Sequence, residues 1–299
     1  MIELPEDVVP GTALRTLLEP AQWKMLFSMV FGRHRLAREG LAPEAGGSDV
    51  VWGTAEAVIK LTAPRWAAEI GAEARAAQWL AGKLPFETPR LLGQGEIQGW
   101  PYVITARIGG VSVARVWSGL RRDERLRLAA RLGEATAALH AVPPPEGPDG
   151  WEDFLAARRA DLQHRHRKAP EGLQEQLGAF MKAAPPEPAG GRAWLHTELL
   201  DEHIHVTEAA GGWAVCGMLD FADGRVGAPG YDLTAPAEFI FKGEPGLYRA
   251  FVSAYGLPDA EPEGLMRWYL LHLFSNLSRM LGRLGTAERF EGLAVRAFG

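Results

Sequence analysis

The chain has 299 residues, 47% of them hydrophobic, enough to bury one large core or two modest ones. Its 32 basic residues stand against 37 acidic ones, a formal charge of −5, which excludes the gathered basic excess of a nucleic-acid binder. Cys216 is the single cysteine, so no internal disulfide can form, and a reducing, cytoplasmic compartment is expected. The opening MIELPEDVVPG has acids and no apolar run, unlike a signal peptide. The most apolar stretch, residues 265–277, is short and holds Arg267 and His272, so it reads as a core helix and not a membrane span.

In chain order, residues 12–36 have helical apolar spacing (Leu14, Leu17, Leu18, Met25, Leu26, Met29) broken at Pro20. Gly46-Gly47-Ser48-Asp49 signals a tight turn, and the runs at 50–52 and 57–61 predict a hairpin. A helix is predicted over 66–80, with Ile70, Ala74, Ala77 and Leu80 on one face, followed by strands at 89–93 and 100–105. Residues 123–140 form a strong helical pattern ended by prolines, and a second helical stretch runs from 151 to 181. Its basic run, 164–168, reads as a solvated face. A short strand at 194–196 and a hairpin of 204–207 with 213–221 precede a helical remainder. The expected class is α+β. A small sheet lobe with one packed helix and a helical N-terminal extension (residues 1–106) precedes a larger, mainly helical lobe (107–299), with a cleft between them.

Strand alternation puts Val58 and Lys60 on one face and Ile59 and Leu61 on the other. Glu73 lies on or beside the apolar face of the following helix, where a carboxylate needs a partner. Lys60 is the natural one, Glu69 a weaker candidate for the same role. Such a pair can present an ammonium rigidly to nucleotide phosphates. Gly46 and Gly47 would let backbone N–H groups approach phosphate oxygens, and Ser48 adds a hydroxyl donor.

A second cluster is His196-Thr-Glu-Leu-Leu-Asp-Glu-His203, then Leu219-Asp220-Phe221, then Gly227-Ala-Pro229-Gly-Tyr-Asp232-Leu233. With VIKL at 58–61, Glu73 in its helix, PYVITARIGG at 101–110 and the helix end AALHAVPP, seven motifs stand in order. Over residues 45–240 the chain resembles the aminoglycoside phosphotransferase superfamily, which shares the protein kinase-like fold and includes choline, homoserine and fructosamine kinases.

The resemblance implies an ATP- or GTP-dependent transfer to a hydroxyl of a small molecule, an aminoglycoside, amino sugar or amino alcohol, by a monomer or homodimer with no nucleic-acid or membrane partner. Lys60 would hold the α- and β-phosphates and Glu73 would hold Lys60. Val58 would line the adenine pocket, and the backbone of Thr105, Ala106 and Arg107 would read the adenine edge. Asp220 would bind a divalent metal, magnesium or manganese. Glu198 would stand as catalytic base, and His203 where an asparagine binds the second metal. His196 and Asp232 would brace the loop, and His140 is read as a satisfied core histidine. Three positions depart from the H-G-D-x-x-x-x-N pattern: Thr197 for glycine, Glu198 for aspartate and His203 for asparagine. Glutamate moves the carboxylate by roughly 1.5 Å, one C–C bond. The alternative is a pseudokinase that binds nucleotide or ligand without transfer. A transition-metal site of His196, Glu198, His203 and His205 meets no fixed ligand spacing. The acids of the C-terminal part, such as Glu238, Glu244 and Asp259, would tolerate a cationic acceptor and equally suit solvated surface.

Overall fold

The computed structural model describes residues 3–5, 8–9, 12–44, 48–147, 150–186, 191–244 and 246–299. Two compact units account for them. The first takes the residues up to Lys83, Glu87–Gly109 and the returning segment Leu219–Asp223; the second takes Leu84–Phe86, Gly110–Met218 and Gly224–Gly299.

In the first unit an antiparallel sheet has the order β1 (Ala42–Pro43), β2 (Val50–Gly53), β3 (Ala57–Leu61), β5 (Trp100–Ala106), β4 (Leu91–Ile97). The register sets Lys60 opposite Val51 on one side and Val103 on the other. Directly opposed residues share a face, so the two faces can be assigned. On the face away from Lys60, Trp52, Ile59, Leu61, Tyr102 and Ile104 pack against Trp23, Leu26, Phe27, Val30 and Phe31 of α1 (Pro20–Arg33). On the Lys60 face, Val103 packs against Ile70 and Ala74 of α2 (Ala67–Leu80). The helix that carries Glu73 is thereby laid over the lysine.

The break expected at Pro20 is there: a 3-10 turn at Leu14–Thr16 ends and α1 opens on Pro20, since proline's missing N–H costs nothing in the first turn, and Glu19 and Gln22 form a capping box there. One expectation for this helix is corrected. Met25 and Met29, counted among the apolar spacing, are 53% and 49% exposed. The buried stripe runs instead through the aromatic positions Trp23, Phe27 and Phe31.

The second unit holds a three-stranded sheet of β6 (Val111–Ser112), β8 (Ile204–Ala209) and β9 (Gly212–Met218), and a two-stranded ribbon of β7 (Ala193–Leu195) with β10 (Arg225–Gly227). The expected stretch 151–181 is three helices, α5 (Trp151–Ala160), α6 (Leu162–Arg165) and α7 (Glu171–Phe180). They follow α3 (Val113–Val116) and α4 (Arg122–His140). The breaks fall at Asp161 and across residues 166–170, the latter closed by Pro170, which stands as the cap before α7. After α8 (Ala235–Phe239), α9 (Leu247–Tyr255) packs so tightly on α4 that a Cβ on Gly133 would stand 2.1 Å from the Phe251 carbonyl oxygen. No helix among the described residues is long and apolar enough to cross a membrane.

Gly133→Ala should therefore destabilise the protein by about 2–3 kcal/mol, the range of an overpacked core, despite alanine's better helix propensity. Gly178→Ala, in α7 with open space around it, should be neutral or stabilising by up to ~1 kcal/mol. Urea midpoints would show the contrast; equal midpoints for the two variants would mean that the α4–α9 contact is looser than described.

Candidate active site

In the first unit the Lys60 ammonium has three carboxylates about it. It donates to Asp220 Oδ1 at 2.9 Å and pairs with Glu73 Oε2 at 3.1 Å and Asp49 Oδ2 at 3.5 Å. The lysine side chain is 13% exposed, Glu73 12%, Asp49 8% and Asp220 29%. Burial by itself pushes the Lys60 ammonium down; Glu73, Asp220 and Asp49 outweigh it and hold the group well above its ordinary range. Burial also pushes Glu73 up, against the pull of Lys60. Glu69 is raised by burial and then by the negative charges of Asp49 and Asp223. Glu73, and not Glu69, makes the ion pair with the lysine.

Asp220 follows β9 in the left-handed region, φ 65°. Aspartate tolerates that conformation because its short side chain can bond locally. Asp49 was not singled out from the sequence. It stands in the bend just before β2, two residues ahead of Val51, the register partner of Lys60, and its carboxylate reaches the ammonium from there. The signal was the hairpin register itself.

In the second unit β7 leads into a loop clamped by one buried carboxylate. Asp232 accepts the N–H of His196 at 2.6 Å on Oδ2 and that of Thr197 at 2.7 Å on Oδ1. His140 Nε2 lies 3.1 Å from Oδ2, and His140 Nδ1 lies 2.9 Å from the Tyr255 hydroxyl. Burial pushes the Asp232 carboxyl up, but the His140 bond, the His140 and His196 rings and the amide together hold it below the usual carboxylate range.

The loop then turns on its own histidines. The Glu198 N–H donates to His196 Nδ1 at 3.2 Å, which places the His196 proton on Nε2. His203 Nδ1–H donates to the Glu198 carbonyl at 3.1 Å, which places the His203 lone pair on Nε2. Glu198 is thus held through both its N–H and its C=O, with its carboxylate 3.6 Å from His203 Nδ1. Thr197 sits at φ 68°, buried, and its hydroxyl is without a hydrogen-bond partner. A glycine would take this backbone without cost, whereas a β-branched residue is strained in it.

The remaining predicted residues are placed as follows. Gly46 and Gly47 lie outside the described residues, and Ser48 is exposed. Val58 is half-buried on the Lys60 face. Thr105 is buried between Val58 and Leu91. In the stretch expected to read the adenine edge, Ala106 N–H donates to the Arg90 carbonyl and Arg107 N–H to the Glu56 carbonyl, each at 2.8 Å. Both donors hold this stretch to its neighbours. The Arg107 side chain donates to the Thr54 carbonyl at 2.7 Å and pairs with Glu44.

A family model described as a phosphotransferase enzyme family matches residues 43–268. The chain belongs to that family. Among solved structures it is similar to the GDP complex of wild-type aminoglycoside 2'-phosphotransferase-IIIa, at 15% identity, TM-score 0.67, covering 92% of this chain and 96% of that one. It is also similar to the macrolide 2'-phosphotransferase MphH of Brachybacterium faecium, at 19% identity and TM-score 0.56, covering 91% and 97%. These matches establish a kinase-like fold. A curated relative, the Arabidopsis thaliana protein named lysine-specific demethylase JMJ21, is 24% identical over 204 residues, 53% of this chain but 22% of that protein's length.

Two variants test the loop. Thr197→Gly should raise stability by about 1 kcal/mol, because it relieves a strained backbone and removes a buried hydroxyl that lacks a partner, at some entropic cost. Asp232→Asn should cost about 3 kcal/mol or more, since buried N–H donors lose the carboxylate that accepts them. A folded-state carboxyl held below its unfolded value of about 3.9 contributes stability that is complete above that pH and lost as pH falls through the lower folded value. The gap between wild type and Asp232→Asn should therefore be constant from pH 5 to 7 and close at lower pH. A gap that instead widened on acidification would refute the assignment.

Proposed function

We propose that this protein transfers a phosphoryl group from ATP or GTP to a hydroxyl of a small molecule. The observation that carries the reading is the buried Lys60 ammonium held between Glu73 and Asp220, with family membership behind it. Proteins of similar fold have been solved with GDP and kanamycin, and with streptomycin and ATP. The acceptor we infer is an amino sugar, an aminoglycoside or an amino alcohol.

In this reading Glu73 fixes Lys60, and Lys60 donates to the α- and β-phosphate oxygens. Asp220 suits a hard divalent cation through its carboxylate oxygens. The second ligand of the reading, His203, keeps its lone pair on Nε2 and would shift preference from magnesium towards manganese, which accepts nitrogen more readily. The cation, when bound, neutralises the charge of the transferring phosphate. Glu198 accepts the proton of the acceptor hydroxyl. Its longer side chain is compensated by a backbone pinned at both His196 and His203. The substituted loop residues Glu198 and His203 are the observation that favours a second reading, a nucleotide-binding pseudokinase.

Nucleotide at 100 times its Kd stabilises a protein by about 2.7 kcal/mol, a rise of roughly 5 °C or more in Tm. Wild type should show that rise with magnesium or manganese present, and Lys60→Ala should lose it. Asp220→Asn should abolish the metal-dependent part more completely than Glu198→Gln, which should abolish transfer to the acceptor and keep nucleotide. A rise that survives in Lys60→Ala would remove the nucleotide from this site. Binding without transfer to any acceptor in a screen of amino sugars and amino alcohols would decide for the pseudokinase.

A further inference from the structure

We infer that Asp49 makes nucleotide binding at this site conditional on a divalent cation: it is a specificity residue that denies Lys60 to phosphate that arrives alone. The inference rests on the nucleotide reading above and assigns a residue role that reading does not contain.

Lys60 donates to Asp220 and has Glu73 and Asp49 within 3.5 Å as well, so a phosphate that approaches the ammonium competes with three carboxylates. The three are not equally displaceable. Asp220 is the most exposed, at 29%, and sits on a loop residue beyond the end of β9. Glu73 is fixed by α2, whose Ile70 and Ala74 are packed on Val103. Asp49, at 8% the least exposed of the three, stands in the bend immediately before β2, whose first residue Val50 is held opposite Leu61. Asp220 is thus the group that turns to a cation, and Glu73 and Asp49 stay.

What remains around the phosphates is one ammonium and two fixed carboxylates. A lysine paired with Glu73 alone would be a neutral seat; Asp49 makes it a negative one. At 3.5 Å Asp49 adds charge more than hydrogen bonding. Glu69 and Asp223 deepen the same field, since Glu69 responds to Asp49 and Asp223 as well as to Lys60. A polyphosphate entering without a cation meets net repulsion over a few ångströms, in a partly desolvated setting where charges act at an effective dielectric nearer 20 than 80. With a divalent cation on the phosphates, the same carboxylates become neutral or attractive.

The test is calorimetric titration of ADP and ATP at pH 8, with magnesium, with manganese and with a chelator, into wild type and Asp49→Asn. Asp49→Asn keeps the side chain's shape and removes its charge; its melting curve, and parallel titration of Asp49→Ser, guard against misfolding. Metal-free affinity should be roughly a hundredfold weaker than metal-loaded affinity in wild type. Removing one charge should tighten metal-free binding about tenfold, while metal-loaded binding changes by less than threefold. Metal-free affinity unchanged in both variants, or metal-free and metal-loaded affinity weakened together, would overturn the inference, because Asp49 would then only brace the lysine. If wild type binds no nucleotide under any of the three conditions, the proposed function falls, and this inference with it.

Discussion

The first unit is organised around a buried ammonium that is over-supplied with negative charge. Lys60 comes off a strand whose other face is fully committed to the core, through Ile59 and Leu61, so it cannot turn outward without breaking the register. Its partners arrive from three places: the bend before β2 through Asp49, α2 through Glu73 and the returning segment through Asp220. That returning segment, Leu219–Asp223, is remote in sequence from the rest of its unit. Buried ion pairs seldom stabilise a fold over an apolar alternative, because desolvation consumes most of the attraction. Three carboxylates on one lysine are harder still to explain by stability. The arrangement makes sense as a place where charge is held ready for something else to bind.

The second unit solves the opposite problem. Asp232 is fully buried, yet it accepts two backbone amides and faces His140, which is itself tied to Tyr255. A carboxylate so well supplied with donors is a rigid structural post. From it, His196 and Thr197 are hung in fixed positions, and Glu198 and His203 then lock onto one another through main-chain oxygen and imidazole. The strained Thr197 backbone is the cost of taking this turn with a residue other than glycine.

Much of this is legible in the sequence, and the rest is hidden for identifiable reasons. The alternation around Lys60 and the placement of Glu73 on an otherwise apolar helix face follow from period alone, so the residues themselves declare the pair. Asp49 does not declare itself, because its contact with Lys60 depends on which residues of the hairpin oppose each other, and turn length alone leaves that register open. The amides of Ala106 and Arg107 escape a reading of the sequence on similar grounds, since pairing with Arg90 and Glu56 is a property of two other chain segments. Met25 and Met29 show a limit of a different kind. An apolar residue on a helix marks a face only when the competing stripe is weaker, and here the aromatic stripe through Trp23, Phe27 and Phe31 is stronger. The breaks at Asp161 and Pro170 are visible as residues but are masked by the apolar spacing on either side.

Asp232 and the carboxylates around Lys60 stand in opposite charge balance. Both are buried, and both are described by short contacts to donors. The difference lies in the ratio of donors to acids: Asp232 has several donors to one carboxylate, while Lys60 is one donor shared by three. A carboxylate in surplus of donors has its folded-state pKa lowered and gains from staying where it is. Carboxylates in deficit of cations gain when a further positive charge arrives, and they are therefore poised to recruit one. Burial alone does not distinguish the two cases, and neither does contact distance. The charge balance does: Asp232 belongs to the frame that holds the loop, while Asp49, Glu73 and Asp220 share a deficit of positive charge.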